Sequence, residues 1–303
     1  MTAPSASTLA DAGPARSAGG MNFAAMSEAS GPLALVAAAV RRERALVVAT
    51  LAILALALPT IVALLVETRT LAGLNVWIKP LKFDASVALL LATYAIGFGL
   101  AREDDRRRLW VRGAVGLVVV SAVLEIAYIT LQAARGEASH FNVSSAWEVL
   151  AFQLMGLFAV VLTAGAGVAA VLVWRAGAKG LGDGLWLGLV VGFALTFVLG
   201  IVTGFAIGGN GGHFVAAAGA MPGSDLGGIP VFGWSREVGD LRAAHFVGLH
   251  VMQVLPLVGW AADRLAPRAS RPVVLVAALA LTGLTVWALV VALSGQSVVP
   301  AGW

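Results

Sequence analysis

Seven blocks of apolar residues, each close to the roughly twenty needed to cross the hydrocarbon of a bilayer as a helix, divide this 303-residue chain. They run over Leu46–Val66, Leu81–Ala101, Gly113–Ala134, Ala146–Trp174, Leu185–Gly209, Leu241–Ala262 and Val273–Ser294. Inside a bilayer no water is present to satisfy backbone N–H and C=O groups, so such blocks must close their own hydrogen bonds as helices. Charge agrees with that reading: 12% of residues are charged, against about 25% in a soluble domain. The expectation is an all-α, polytopic transmembrane bundle of about seven spans, embedded in a lipid bilayer.

Basic residues orient it. With the N-terminus inside, fourteen Lys and Arg fall on inner segments (Arg16, Arg41, Arg42, Arg44, Arg102, Arg106, Arg107, Arg108, Arg112, Arg175, Lys179, Arg264, Arg268, Arg271) and six outside (Arg69, Lys79, Lys82, Arg135, Arg236, Arg242). That excess follows the positive-inside rule and places the C-terminus outside. It also gives the pI near 10.1 a membrane explanation, so no nucleic-acid partner is expected. Trp77, Trp147 and Trp234 fall near outer span ends, and Trp110, Trp174, Trp186 and Trp260 near inner ends, where the indole ring and its N–H suit the interface. The domain reading is a disordered cytoplasmic tail and basic flank over 1–44, a membrane domain over 45–294 with an outer loop at 210–240, and an outer tail over 295–303. Within the first of these, Met1–Ser30 has neither hydrophobic periodicity nor a signal-peptide pattern. The composition suggests a bacterial source, hence the cytoplasmic (inner) membrane.

Between the spans, Pro80 suits the first turn of the second helix, and the outer loop is glycine-rich with Pro222 and Pro230. Gly184, Gly188, Gly192, Thr196, Gly200, Gly204 and Gly208 recur every four residues along span five. Such a stripe lets a neighbouring backbone approach closely, chiefly for packing. No internal repeat is visible.

Chemistry is sparse. Cysteine is absent, which removes disulfides and thiolate metal sites. Glu125 is the one ionisable residue at the middle of a span, about 14 Å from its outer end at 1.5 Å per residue. Ser121, Glu125, Tyr128 and Gln132 share its helix face. His250 reaches a matching depth from the outer start of span six, with Gln253 on its face and Pro256 beyond. A carboxyl and an imidazole at one depth suggest an ion pair, a proton relay or part of a metal site. Lys79, Lys82, Asp84 and Ser86 mark the outer end of span two as an anion-facing or carboxylate-pairing cluster, or as snorkelling lysines beside a dipole-stabilising acid.

All four histidines, His140, His213, His245 and His250, lie in the outer half. With Asp225, Glu237 or Asp240 they are candidates for a zinc or copper site. The five-residue step from His245 to His250 puts those two about 140° apart, which weakens it. A haem would need a second axial ligand level with His250, and Met155 is at that depth. Ser145 with Glu148 fits a capping box, and Asp240 an N-cap.

Two main readings follow. One is a metal- or haem-dependent membrane oxidoreductase or hydrolase opening outward, using the histidines with Glu125 handling protons. The other is a proton-coupled carrier of a small solute, with Glu125 as the protonatable group. A structural role without catalysis is the third.

Overall fold

The computed structural model describes residues 31–71, 73–178, 180–216, 228–229 and 232–299. The tail Met1–Ser30 with Arg16, Lys179, residues 217–227 of the outer loop with Pro222 and Asp225, Pro230 and the last four residues lie outside the described set.

Seven helices are long and apolar enough to span a membrane. A short helix α1 (Pro32–Arg42) precedes the first span, α2 (Arg44–Val66). Then come α3 (Ile78–Leu100), a one-turn α4 (Glu103–Arg106), α5 (Leu109–Arg135), α6 (Ala146–Ala176), α7 (Asp183–Gly209), α8 (Leu241–Leu265) and α9 (Ser270–Leu293). The fold is the expected all-α seven-span bundle. Span boundaries differ from the apolar blocks by a few residues at the ends, because charged residues such as Arg44, Arg135 and Arg264 extend the hydrogen-bonded helix beyond its lipid-facing part.

Two minimal hairpins shape the outer side. β1 (Thr70–Leu71) pairs with β2 (Leu74–Asn75), and β3 (Phe214–Val215) pairs antiparallel with β4 (Gly239–Asp240), closing the outer loop at its base.

Helix α1 falls in the stretch read from sequence as tail and flank. Pro32 opens it, and it buries Leu35, Ala38 and Ala39. Its C-terminal half lies on the inner end of α3, where a Cβ at Gly99 would collide with the carbonyl of Ala39. Arg42 donates to the Gly99 carbonyl at 3.0 Å.

The spans pack in two groups. Helices α2, α3, α5 and α6 form one, and α7, α8 and α9 the other, joined mainly where α6 lies on α7. The α7–α8 contact is the tightest, and the four-residue glycine stripe makes it so. A Cβ on Gly184 would strike the carbonyl of Gly259 and one on Gly259 that of Gly184, while Gly188 meets Leu255 and Gly192 the Cα of Met252. Thr196 completes the contact: its hydroxyl donates to Leu249 O at 3.3 Å and accepts from Met252 N at 3.0 Å.

The inner end ties the groups with charge. Asp263 of α8 accepts the first free N–H groups of α7, from Gly184 at 2.7 Å and Leu185 at 2.8 Å, a bidentate cap supplied by another helix. Asp105, 2% exposed, holds Arg175 at 3.0 Å and Arg108 at 3.3 Å. Glu103 binds Arg42, Arg106 and Arg107 at 2.6, 3.1 and 2.9 Å. The Arg107 and Arg42 guanidinium groups hold the Glu103 carboxyl down to about 2, and Arg175 holds Asp105 below its usual range. Further in, Tyr94, Phe98 and Phe193 are fully buried with ring centroids 6.1 and 6.2 Å apart, and the Tyr94 hydroxyl donates to Leu162 O at 2.6 Å. These three rings form an aromatic core between α3 and α7.

Candidate functional site

Away from that aromatic core the bundle interior becomes polar. Glu125 of α5 is 4% exposed and Asp84 of α3 is fully buried. Neither oxygen of Asp84 and not Oε1 of Glu125 has a hydrogen-bond partner. Asp84 faces Thr60 of α2, whose own proton is committed to Leu56 O at 3.0 Å. Two such carboxyls are unusual, because an unpaired buried charge costs several kcal/mol or more.

The stripe expected on α5 exists. Ser121, Glu125 and Gln132 are buried and Tyr128 partly so. Its outer half meets Glu148 of α6: Tyr128 donates to Glu148 Oε2 at 2.6 Å, Gln132 at 2.8 Å, and Arg135 reaches Oε1 at 2.9 Å. Ser145 caps α6 by accepting Glu148 N–H at 3.2 Å, as its spacing implies. The carboxylate of Glu148, read from sequence only as part of that cap, anchors α5 to α6. Nothing in local spacing marks the Arg135–Glu148 pair, since it joins two helices.

Lys79, at the outer start of α3, lies within electrostatic reach of Glu125 and donates to Nδ1 of His140 at 3.1 Å. An ammonium has no lone pair to offer, so His140 must accept at Nδ1 and carry its proton on Nε2. Burial, with Lys79 and His213 adding to it, pushes the His140 imidazole well below its usual range and keeps it neutral. Aromatic rings surround it, Phe83 at 5.8 Å and Phe152 at 6.3 Å. Phe141 follows, 4.8 Å from Phe152 and 6.3 Å from His213 across to the second helix group. Phe141 is also the one non-glycine among the described residues with a left-handed backbone, at φ 56°. A bulky side chain there is costly, and the ring contacts hold it in place.

The opposite wall belongs to α8 and the loop before it. Phe232, Trp234, Phe246 and His250 form a ring chain, ending with Phe246 4.2 Å from His250. Lys82 crosses from α3 to donate to Phe232 O at 3.3 Å. Gln253 donates to Thr93 Oγ1 on α3 at 3.1 Å, a polar link between the groups deep in the bundle, and its Oε1 stays unpartnered. His245 Nδ1 lies 2.8 Å from Thr203 Oγ1. Because Thr203 gives its own proton to Leu199 O at 2.6 Å, His245 must donate there, which leaves Nε2 as an acceptor. Asp240 caps α8 through Arg242 N at 3.1 Å and also binds the Arg242 guanidinium at 2.6 Å.

The expected residues therefore sort into neighbourhoods. Glu125 sits with Lys79, Asp84 with Thr60, His140 with His213, and His245 with His250. No hydrogen bond or ion pair among the described residues joins Glu125 to His250. Helix α3 lies between their helices, touching α5 on one side and reaching α8 through Thr93. Equal depth is a property of each helix alone, whereas adjacency depends on the order of packing. Among the described residues no group of three or more His, Asp or Glu is placed to hold a metal ion, and Asp225 is outside that set. Met155 is buried on α6.

Comparison with protein-family models, curated proteins and solved structures finds no match to this chain. Fold and composition define its class directly: a multi-pass α-helical membrane protein of seven spans in contact with lipid.

Proposed function

We propose that this chain is a proton-coupled carrier of a small solute, opening at its outer face, with Glu125 as the proton-binding group. The observation that carries this reading is the pair of buried carboxyls, Asp84 and Glu125, which keep three oxygens without hydrogen-bond partners inside a bundle that elsewhere pairs its acids. An unpaired carboxyl at that depth is stable when it holds a proton and unstable when it does not. It is thus suited to exchanging one as a neighbouring charge arrives or leaves. Lys79, within reach of Glu125, is such a charge. Tyr128 and Glu148, joined at 2.6 Å, lie one helical turn and more toward the outer surface and offer the proton a path. The aromatic and histidine walls suit a small solute with a planar or apolar part, and His250 and Gln253 are its polar contacts from α8. The division into two helix groups, with the Tyr94, Phe98 and Phe193 rings packed between α3 and α7, fits a protein that opens one side at a time. A bacterial cytoplasmic membrane, with its standing proton gradient, suits this activity. The metal- or haem-dependent alternative draws less support, because the histidines pair rather than converge.

The test is reconstitution into liposomes with a trapped pH indicator, an imposed outward-acid gradient, and amino acids, organic acids, amines and sugars added singly. One solute class should trigger proton entry. Glu125→Gln should abolish the proton signal while leaving the helical spectrum unchanged. Proton entry in Glu125→Gln equal to the wild type would sink the proposal, as would a wild type silent toward every solute.

A further inference from the structure

The outer end of α3 carries two lysines that the structure sends in different directions. Lys82 crosses to the second helix group, where it donates to Phe232 O at 3.3 Å. Lys79, three residues earlier, stays within the first group: it donates to His140 Nδ1 at 3.1 Å and lies within electrostatic reach of Glu125. An ammonium has three rotatable N–H donors on a flexible stem, so it can serve two acceptors in turn. His140 sits on the loop between α5 and α6 and is partly exposed, whereas Glu125 is buried. One mobile charge therefore joins a group that outer water reaches to one that it does not.

The neighbours of His140 Nδ1 respond differently to a proton. Ser139 Oγ also lies 3.1 Å from that nitrogen. Once Nδ1 is protonated it becomes a donor; a hydroxyl can turn and accept from it, but an ammonium cannot. Two positive charges about 3 Å apart also repel. Protonation of His140 thus expels Lys79 and leaves Ser139 in place. The remaining groups facing the ring do not counter this. Phe83 from α3 and Phe152 from α6 are uncharged, and His213, after α7, can only add positive charge. Glu137, on the same loop, accepts from Asn142 at 3.3 Å, and no acid among the described residues forms an ion pair with His140.

Building on the reading of Glu125 as the proton-binding group, we propose that Lys79 is a positioning residue that couples Glu125 to the outer side, switching from His140 to Glu125 when His140 takes up a proton. A proton from outer water bonds to Nδ1 as the hydrogen bond from Lys79 breaks. The ammonium then pairs with the Glu125 carboxyl, whose O–H proton passes to water on the inner side as the bundle opens there. One proton is gained and one is lost, and the ammonium keeps its own three throughout.

The infrared C=O stretch of a protonated carboxyl reads the switch in the full chain in lipid nanodiscs at neutral pH. The Glu125 band is the difference between each protein and its Glu125→Gln counterpart. Wild type should show it. His140→Phe, or His140→Leu should the ring not be tolerated, removes the acceptor, so Lys79 should settle on Glu125. That shifts the carboxyl about tenfold or more toward its ionised form and erases most of the band. Adding Lys79→Met to the same variant should restore it. His140→Gln, whose amide oxygen still accepts from an ammonium, should keep it. A band that persists in His140→Phe and His140→Leu overturns the switch and leaves the carrier reading standing. So does a loss that Lys79→Met fails to reverse, which would mark a general disturbance of the fold. A wild type without the band overturns the switch together with the protonated Glu125 beneath it, and the liposome assay tests the carrier separately.

Discussion

The inner end and the middle of this bundle handle acidic side chains in opposite ways. At the inner end Asp105, Glu103 and Asp263 each have two or more donors, whereas Asp84 and Glu125 in the middle have oxygens with none. Glu103 is half exposed, but Asp105 is as deeply buried as Asp84 and Glu125, so burial alone does not explain the contrast. Paired acids cross-link helices and contribute to stability; unpaired acids contribute nothing to it and persist only if they do something else. The lesson is that in a membrane bundle the informative carboxyl is the one without a partner.

Four substitutions or conditions can break this contrast or sharpen it. The largest effect belongs to the packing that both regions share. Gly259→Val forces a branched side chain into the carbonyl of Gly184, and thermal unfolding in detergent should report a loss of roughly 3 kcal/mol. Next, Asp105→Asn should cost about 1–2 kcal/mol, discounted because Arg175 and Arg108 remain in contact with water. A neutral result would mean the inner ion pairs are ornamental and erase half of the contrast. Asp84→Leu, by comparison, should be neutral or stabilising by up to about 1 kcal/mol, since it removes two unsatisfied oxygens while keeping volume. A cost comparable to that of Asp105→Asn would show that Asp84 is paired after all.

The smallest effect is on pH. His140 is held neutral when folded and titrates near its ordinary value when unfolded, so the unfolded chain takes up the proton first. Stability should therefore be flat above about pH 6.5 and fall below it, and His140→Asn should flatten that slope. Glu103 and Asp105 act in a separate window. Their carboxyls are depressed in the folded chain, Glu103 to about 2, so their contribution is complete above about pH 4 and fades as pH falls further. A slope between about pH 6.5 and 4 that survives in His140→Asn would remove His140 as its source.

Much of the architecture was legible in the sequence, because lipid imposes a length and a polarity that single residues report. The seven blocks, the caps at Ser145 and Asp240, and the glycine face of α7 are all local patterns, and each is realised. The α5 stripe was legible for the same reason. Its partners were not. Glu148, Thr60 and Lys79 come from other helices, and a helix face indicates that something will be met without saying what. Pairing Glu125 with His250 relied on depth alone, and α3 lies between their helices. Phe141 carries no sequence mark of its left-handed backbone, since that conformation is imposed by the rings around it. Helix α1 went unread because its apolar face is three residues wide, Leu35, Ala38 and Ala39, too short to stand out from an alanine-rich segment.

The glycine seam between α7 and α8 has a mechanical corollary. Where two backbones touch without intervening side chains, no rotamer change can absorb relative sliding, and Asp263 clamps the seam at one end. Helices α7 and α8 must then travel as a single stiff lever. Any rearrangement has to be taken up along α6, at the Lys82–Phe232 hydrogen bond and at the amide–hydroxyl clasp of Gln253 with Thr93, whose rupture would cost little and leave both helices intact.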